Sequence, residues 1–153
     1  MEIADLVTPA GVVPSLKATS KKQALQDLAR RAAELTGEAE RAIFDVLLER
    51  ERLGTTGVGD GVAIPHGKLP DLPRLFGLFA RLERPIDFEA IDEQPVDLIF
   101  LLLAPGGAGA DHLKALARVS RLLRDRAIRE KLRGSETAEA LYALLVEQQA
   151  SAA

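Results

Sequence analysis

The sequence predicts an α/β layered domain, because segments with the character of buried strands lie mid-chain between segments with helical periodicity. The two strand segments, 75–82 and 96–103, are long enough and apolar enough to be buried in a sheet. The chain has 153 residues, 47% of them hydrophobic, which suits one domain with a sizeable core. We therefore expect a single domain over 1–150 and a frayed C-terminus at 151–153.

Before these strands, the chain predicts a short extended segment and two helices. The extended segment is expected at 11–16. Ser20 is a suitable N-cap for a helix over 21–36, and Gly37 suits its C-terminal end. A second helix is expected over 38–53, where the next glycine ends it.

After the second helix, glycines and prolines indicate a turn-rich loop in which only 62–64 has the apolar character of a strand. Beyond the second long strand, Asp111 is a suitable N-cap for a helix to about residue 123. Two further helical segments are expected at 127–131 and 136–149, with a break at the Gly-Ser pair between them.

Composition excludes several classes of function. The net charge of −3 gives no basic excess of the kind that marks a nucleic-acid-binding domain. The absence of cysteine excludes a disulfide framework, a thiol nucleophile and a cysteine-based metal site. The N-terminal residues lack a basic segment typical of a secretory signal, and the longest apolar run is far shorter than the ~20 residues of a membrane-spanning helix. We expect a soluble, cytoplasmic protein.

An arginine falls on the apolar face of the second predicted helix. On a helical wheel Arg50 lies inside an otherwise apolar stripe. The stripe consists of Ala39, Ala42, Ile43, Val46, Leu47 and Leu53. A guanidinium directed at a core is costly unless it is paired or serves a ligand. Periodicity leaves both interpretations open: Arg50 extends to solvent or pairs with a structural carboxylate, or it binds an anion.

A histidine occupies the same kind of position in the helix after Asp111. His112 falls within the stripe formed by Leu113, Leu116, Val119 and Leu123, in the first helical turn. A lone histidine there is commonly a satisfied, half-buried side chain. The alternative is functional, because free N–H groups and the positive end of the helix dipole suit a phosphate and disfavour an imidazolium.

The other histidine lies on a constrained loop. Pro65 fixes its own φ and restricts Ile64 to extended geometry, and Gly67 permits a close backbone approach, so His66 is expected at the end of a short strand. The preceding GTTGVGDG supplies hydroxyls and bare N–H groups that can cradle an anion, although it is neither a P-loop nor a dinucleotide fingerprint. Neutral imidazole is a good nucleophile toward a phosphoryl group, and arginine suits the charge that spreads over that group during transfer.

These residues resemble the enzyme IIA domains of the fructose/mannitol/nitrogen-regulatory class in the phosphoenolpyruvate-dependent phosphotransferase system. The resemblance is carried by GTTGVGDGVAIPHGK, the ERE at 49–51, PVDLIFLLLAP and HLKALARVSRLL, and it covers nearly the whole chain. It implies a mixed β-sheet of about four to five strands covered by helices on both faces.

The resemblance also implies a role for each candidate site residue. In the catalytic site, His66 would accept the phosphoryl group on Nε2, Arg50 would hold that group, and His112 would hydrogen-bond it or orient His66. Thr56 matches the threonine of the family's Ser-Thr pair and would line the phosphate-binding pocket, while Thr55 keeps a hydroxyl where serine is usual. No metal or other cofactor is implied.

As a phosphotransferase component, the chain would have a phosphocarrier protein of the HPr or NPr type as its donor. Because the sequence includes no IIB or IIC domain, it is most similar to the nitrogen-regulatory branch, whose phosphorylation state is read by partner proteins. The alternatives are a sugar-transport IIA that passes phosphate to a separate IIB, and a binding module with vestigial catalysis. A metal-dependent hydrolase using both histidines with Asp60 or Asp71 would need a ligand spacing that the sequence does not follow.

Overall fold

The computed structural model describes the backbone of residues 1–152 and the side chains of residues 1–147. Two 3-10 turns, Ile3–Asp5 and Pro9–Gly11, precede the regular elements. The strands are β1 Val12–Leu16, β2 Gly57–Gly59, β3 Val62–Ala63, β4 His66–Leu69, β5 Phe76–Ile86 and β6 Val96–Pro105. The helices are α1 Lys21–Thr36, α2 Glu40–Arg52, α3 Gly109–Arg124, α4 Arg126–Arg133 and α5 Ala138–Ala152. The predicted frayed end at 151–153 lies outside the residues whose side chains are described.

The strands form one mixed sheet in the order β1-β5-β6-β3-β2. β5 and β6 run antiparallel at its centre, β1 pairs parallel with β5, and β3 pairs parallel with β6. The short β4 also pairs parallel with β6, farther along that strand than β3. The α/β layered class and the mixed sheet are confirmed, but six strands replace the four to five expected. The two that were missed, β2 and β4, are three and four residues long and carry glycine or polar side chains in place of an apolar run.

Helices cover both faces of the sheet, as expected. α1 and α2 pack on one face, burying residues such as Leu28 and Leu47, and α3, α4 and α5 pack on the other, burying Val119 and Leu132. Successive residues of β6 enter the two cores alternately because side chains alternate across a strand. Within the residues that the structure describes, no helix is long and apolar enough to cross a membrane.

The helix ends show which capping signals were read correctly. Ser20 accepts a hydrogen bond from the Gln23 N–H at 3.1 Å, and Gly37 adopts φ +81°, so both predicted ends of α1 are confirmed. Asp111 was wrongly predicted as an N-cap. Helix α3 already begins at Gly109, which places Asp111 in its first turn.

Candidate functional site

His66 is the first residue of β4, where the backbone is held by the centre of the sheet. The Leu102 N–H donates to the Pro65 carbonyl at 3.0 Å, and His66 itself is in register with Leu102 of β6. β3 and β4 keep the same register on β6 and are separated only at Ile64 and Pro65, the second of which lacks an N–H. The His66 imidazole is therefore carried by the first residue of β4, directly after the interruption at Ile64 and Pro65, and not by the end of β3 as expected.

The tautomer of the His66 ring follows from its hydrogen bonds. Nδ1 lies 2.8 Å from the Ile64 carbonyl oxygen, which can only accept, so Nδ1 carries the proton. Nε2 then has a free lone pair, and it accepts a hydrogen bond from Arg50 Nε at 3.3 Å. The half-buried imidazole is thus held with Nε2 as its nucleophilic nitrogen.

Arg50 extends from the last turn of α2 and has two neutral partners. Besides the His66 ring, Nη1 donates to the Gly54 carbonyl at 2.8 Å. Neither partner is a carboxylate, so among the described residues Arg50 is not the partner of a structural carboxylate. A guanidinium with neutral partners keeps its positive charge available for an anion beside Nε2.

Close packing between α2 and β4 brings the two side chains together. A methyl group added at Gly67 would overlap Val46 Cγ1, so only glycine lets the helix approach the strand this closely. Arg50 lies one helical turn beyond Val46 and therefore reaches the residue next to Gly67.

His112 lies in the first turn of α3 and is 7% exposed. Its ring stands edge-on to that of His66, with centroids 5.6 Å apart and an interplanar angle of 70°. Its Nε2 is buried without a hydrogen-bond partner among the described residues. A buried polar nitrogen of this kind calls for an explanation, and a ligand beside it would supply one.

Both stripes used to find Arg50 and His112 were partly wrong. Leu53 is 80% exposed because α2 ends before it, and Leu113 is 69% exposed. The buried face of α3 consists of His112, Ala115, Val119, Leu122 and Leu123. His112 therefore begins the buried stripe itself, which strengthens the observation that singled it out.

The pKa of each histidine is lowered from its ordinary value. Burial is the main cause at His66, where the charge of Arg50 lowers the pKa further, while the Ile64 hydrogen bond and the charge of Glu51 raise it. Burial is also the main cause at His112, followed by the charges of His66 and Lys68. Both effects favour neutral imidazoles, the form that can act as a nucleophile or accept a proton.

Thr56 joins this group indirectly. Its N–H donates to Glu51 Oε1 at 3.0 Å and its hydroxyl donates to Glu51 Oε2 at 2.5 Å. Because a threonine hydroxyl has one hydrogen, Thr56 directs its donor at Glu51 here, and its role toward a phosphate stays a prediction. Thr55 is similarly engaged, donating to the Phe88 carbonyl at 3.1 Å.

Glu51 is the residue that sequence reasoning missed. Its side chain is 6% exposed and forms an ion pair with Lys21 Nζ at 3.0 Å. Helical spacing held a signal for it, since Glu51 lies one turn after the fully buried Leu47.

The carboxylates considered for a metal site lie elsewhere. Asp60 faces Arg129, with 4.0 Å between the closest charged atoms, and Asp71 is exposed. Over the described side chains, no three histidine, aspartate or glutamate residues are grouped where they could hold a metal ion.

Comparisons with known proteins identify the family of this chain. Residues 5–148 match the family described as "Phosphoenolpyruvate-dependent sugar phosphotransferase system, EIIA 2". A nitrogen regulatory protein of Bradyrhizobium diazoefficiens is 68% identical over 153 residues, covering 100% of both chains. The nitrogen regulatory protein of Escherichia coli is 43% identical over 129 residues, covering 84% of this chain and 79% of its own length.

Solved structures show the same fold. The nitrogen regulatory protein IIA-Ntr of Neisseria meningitidis superposes with a TM-score of 0.89 at 33% identity, covering 94% of this chain and 99% of its own. The mannitol IIA of Escherichia coli superposes with a TM-score of 0.76 at 20% identity, covering 91% and 98%, which supports the fold alone. The match over most of the chain and the high identities agree, so the chain belongs to the EIIA 2 family of the phosphoenolpyruvate-dependent sugar phosphotransferase system.

Proposed function

We propose that His66 accepts a phosphoryl group on Nε2 from a histidine-phosphorylated carrier protein of the HPr or NPr type. We further propose that the phosphorylated and free forms bind regulatory partners differently. The regulatory part rests on relatives named nitrogen regulatory protein, one of them 68% identical over the full chain.

One observation carries the proposal: the His66 ring is fixed with its lone pair on Nε2, and a guanidinium lies against that atom. The Nδ1–H bond to Ile64 and the Arg50 bond to Nε2 define this state from both sides of the ring. A nucleophile fixed in one tautomer beside a preorganised cation is the arrangement that phosphoryl transfer requires.

The transfer balances without an additional proton donor. The Nε2 lone pair forms the new P–N bond, the P–N bond of the donor phosphohistidine breaks, and its electron pair returns to the donor ring. Nδ1 keeps its proton, and the Ile64 carbonyl stabilises the positive charge that the His66 ring gains. Arg50 and His112 would contact the oxygens of the transferred group, and no metal or other cofactor takes part.

The sugar-transport alternative has its own observation. A protein of Haloferax volcanii named PTS system fructose-specific EIIA component is 36% identical over 153 residues. The two branches differ in what happens next, because a sugar-transport IIA passes its phosphate to a IIB protein. Adding a purified IIB to the phosphorylated chain distinguishes them: transfer to IIB supports sugar transport, and retention with altered partner binding supports regulation.

The test of the acceptor uses the fact that the chain has only two histidines. The protein is incubated with phosphoenolpyruvate, enzyme I and the carrier, and intact mass is measured over time. Wild type should gain one phosphoryl group, His66→Ala should gain none, and His112→Ala should still be labelled, more slowly. Labelling that persists in His66→Ala and disappears in His112→Ala would assign the acceptor to the other histidine. A wild-type protein that gains nothing would refute the proposal.

A further inference from the structure

We propose that Glu51, with Lys21 as its counter-ion, is the positioning residue for the His66 imidazole and acts through Thr56 and Ile64. Its effect on phosphoryl transfer rests on the function proposed above. Its effect on the ring itself does not.

The hydrogen bonds around the site close into a ring that begins and ends on α2. Glu51 accepts from both the N–H and the hydroxyl of Thr56. The Thr56 carbonyl accepts from the Ile64 N–H at 3.0 Å, and the Ile64 carbonyl accepts from His66 Nδ1 at 2.8 Å. His66 Nε2 then accepts from Arg50, the residue adjacent to Glu51.

This closed set of hydrogen bonds attaches both nitrogens of the His66 imidazole to helix α2, Nε2 directly through Arg50 and Nδ1 indirectly through Glu51. The carbonyl that holds Nδ1 belongs to Ile64, and the position of Ile64 depends on Thr56. On its far side the segment is held to β6 through the Pro65 carbonyl, and the bond from the Ile64 N–H to the Thr56 carbonyl holds its near side. Glu51 is therefore the point at which the loop carrying the Nδ1 acceptor is attached to the helix carrying the Nε2 donor.

The buried carboxylate is costly for a purely structural role. Its side chain is 6% exposed, and a buried charge is tolerated when it is paired and fully hydrogen-bonded. Lys21 supplies the pairing charge at 3.0 Å, and its Nζ lies 4.8 Å from the centroid of the buried Phe88 ring. Both oxygens of Glu51 are occupied, so the carboxylate holds Thr56 in one geometry.

The test compares Glu51→Gln with Glu49→Gln on the same helix. Glutamine keeps the size of Glu51, but its single amide oxygen cannot reproduce both bonds to Thr56, and it offers Lys21 no charge. Glu49 is exposed and pairs with Arg52 at 2.9 Å, so Glu49→Gln removes the same charge two residues before Glu51, from a side chain that takes no part in the hydrogen-bonded ring.

The first readout is nitrogen NMR of the His66 side chain in the full-length protein, which needs no phosphate. In Glu51→Gln the Nδ1–H tautomer should lose population, and the pKa of His66 should fall further because the charge of Glu51 raises it. Glu49→Gln should match wild type in tautomer. An unchanged tautomer and pKa in Glu51→Gln overturn the proposal.

The second readout is the rate of phosphorylation, which should fall about tenfold to a hundredfold in Glu51→Gln, the effect of a small misplacement of reacting groups. If wild type takes no phosphate, the proposed function fails while the NMR comparison still decides this inference. If Glu51→Gln does not fold, Thr56→Val is used, which removes the hydroxyl donor at constant shape. Thr56→Val should shift the His66 tautomer in the same direction as Glu51→Gln, whereas Thr56→Ser, which keeps the hydroxyl, should show the wild-type tautomer. A wild-type His66 tautomer in Thr56→Val overturns the inference.

Discussion

At the scale of single residues, one atom of Arg50 serves both states of the proposed reaction. Before transfer its Nε–H donates to the His66 Nε2 lone pair at 3.3 Å. Once Nε2 carries a phosphoryl group that lone pair is used, and the same donor is placed beside the oxygens attached there. Arg50 therefore has to release the lone pair and shift aside as the phosphorus arrives, exchanging a neutral partner for an anionic one, and the charge-assisted bond is the stronger of the two.

The lowered pKa of His66 predicts how the site responds to pH. Since burial disfavours the imidazolium, the pKa of His66 measured by NMR titration should lie below 6.5, and the rate of labelling should decline only as pH falls through that lower value. A measured pKa above 6.5 would contradict this expectation.

The same shift has a consequence for stability. As pH falls below about 6.5 the unfolded chain takes up protons before the native histidines do, so both lowered pKa values reduce the free energy of unfolding in that window and not above it. Thermal melts across this range should therefore show a smaller acid-induced loss in His66→Gln than in wild type.

Sequence reasoning found the residues that break a pattern and missed those that complete a network. Arg50 and His112 were visible because each is a polar side chain on an apolar face, and His66 because proline and glycine constrain it. The bond between Glu51 and Thr56 joins a helix to a loop five residues later, and periodicity holds no information on such a contact. The direction of a hydroxyl hydrogen likewise depends on its neighbours in space.

At the scale of elements, the contact between α2 and β4 determines whether Arg50 reaches His66. Gly67→Ala places a methyl group against Val46 and should displace the helix, at a cost of about 1–3 kcal/mol in the free energy of unfolding. Because the displaced helix carries Arg50 away from His66, the rate of phosphorylation should fall more than the loss of folded protein alone would explain. Gly67 does not need a positive φ, so the effect is steric. Melting and labelling rates measure the two losses.

Gly107→Ala is the matched control for this prediction, because a methyl group there has nothing within 4 Å. It should leave both measurements near wild type. Combining Gly67→Ala with Val46→Ala makes room for the methyl group, so the double variant should lose less than the sum of the single variants. Equal behaviour of the two alanine variants would show that α2 and β4 tolerate separation.

Whether an element could be predicted from the sequence depended on its length. The long apolar strands β5 and β6 and the capped helix α1 were predicted because burial and capping leave a pattern over many residues. The short β4 was not, because its four residues are strand only by pairing with β6, and HGKL carries no strand signal of its own. The residue with the proposed chemistry thus lies on an element that tertiary structure creates.

At the scale of the whole molecule, the site draws on both helical layers. Arg50 comes from α2 on one face of the sheet and His112 from α3 on the other, and His66 lies on a strand paired with the central β6. Because β6 supplies side chains alternately to both cores, neither layer can lose its packing without exposing the same strand. We propose on this basis that residues 1–150 form one cooperative domain.

Leu47→Ala tests that cooperativity through a probe in the opposite layer. Leu47 is fully buried beside α1, and its truncation should cost about 2–5 kcal/mol. Tyr142, the only tyrosine in a chain without tryptophan, packs against the other core and reports on it in near-ultraviolet circular dichroism. In a single domain the melting midpoint of the Tyr142 signal should fall together with that of the far-ultraviolet helical signal.

Leu132→Ala is the control, because Leu132 is buried on the side of Tyr142, and this variant should shift the same two signals together. A Tyr142 transition that keeps its wild-type midpoint in Leu47→Ala would mean that the layers unfold separately, and a site shared between them would then be lost when the less stable layer unfolds.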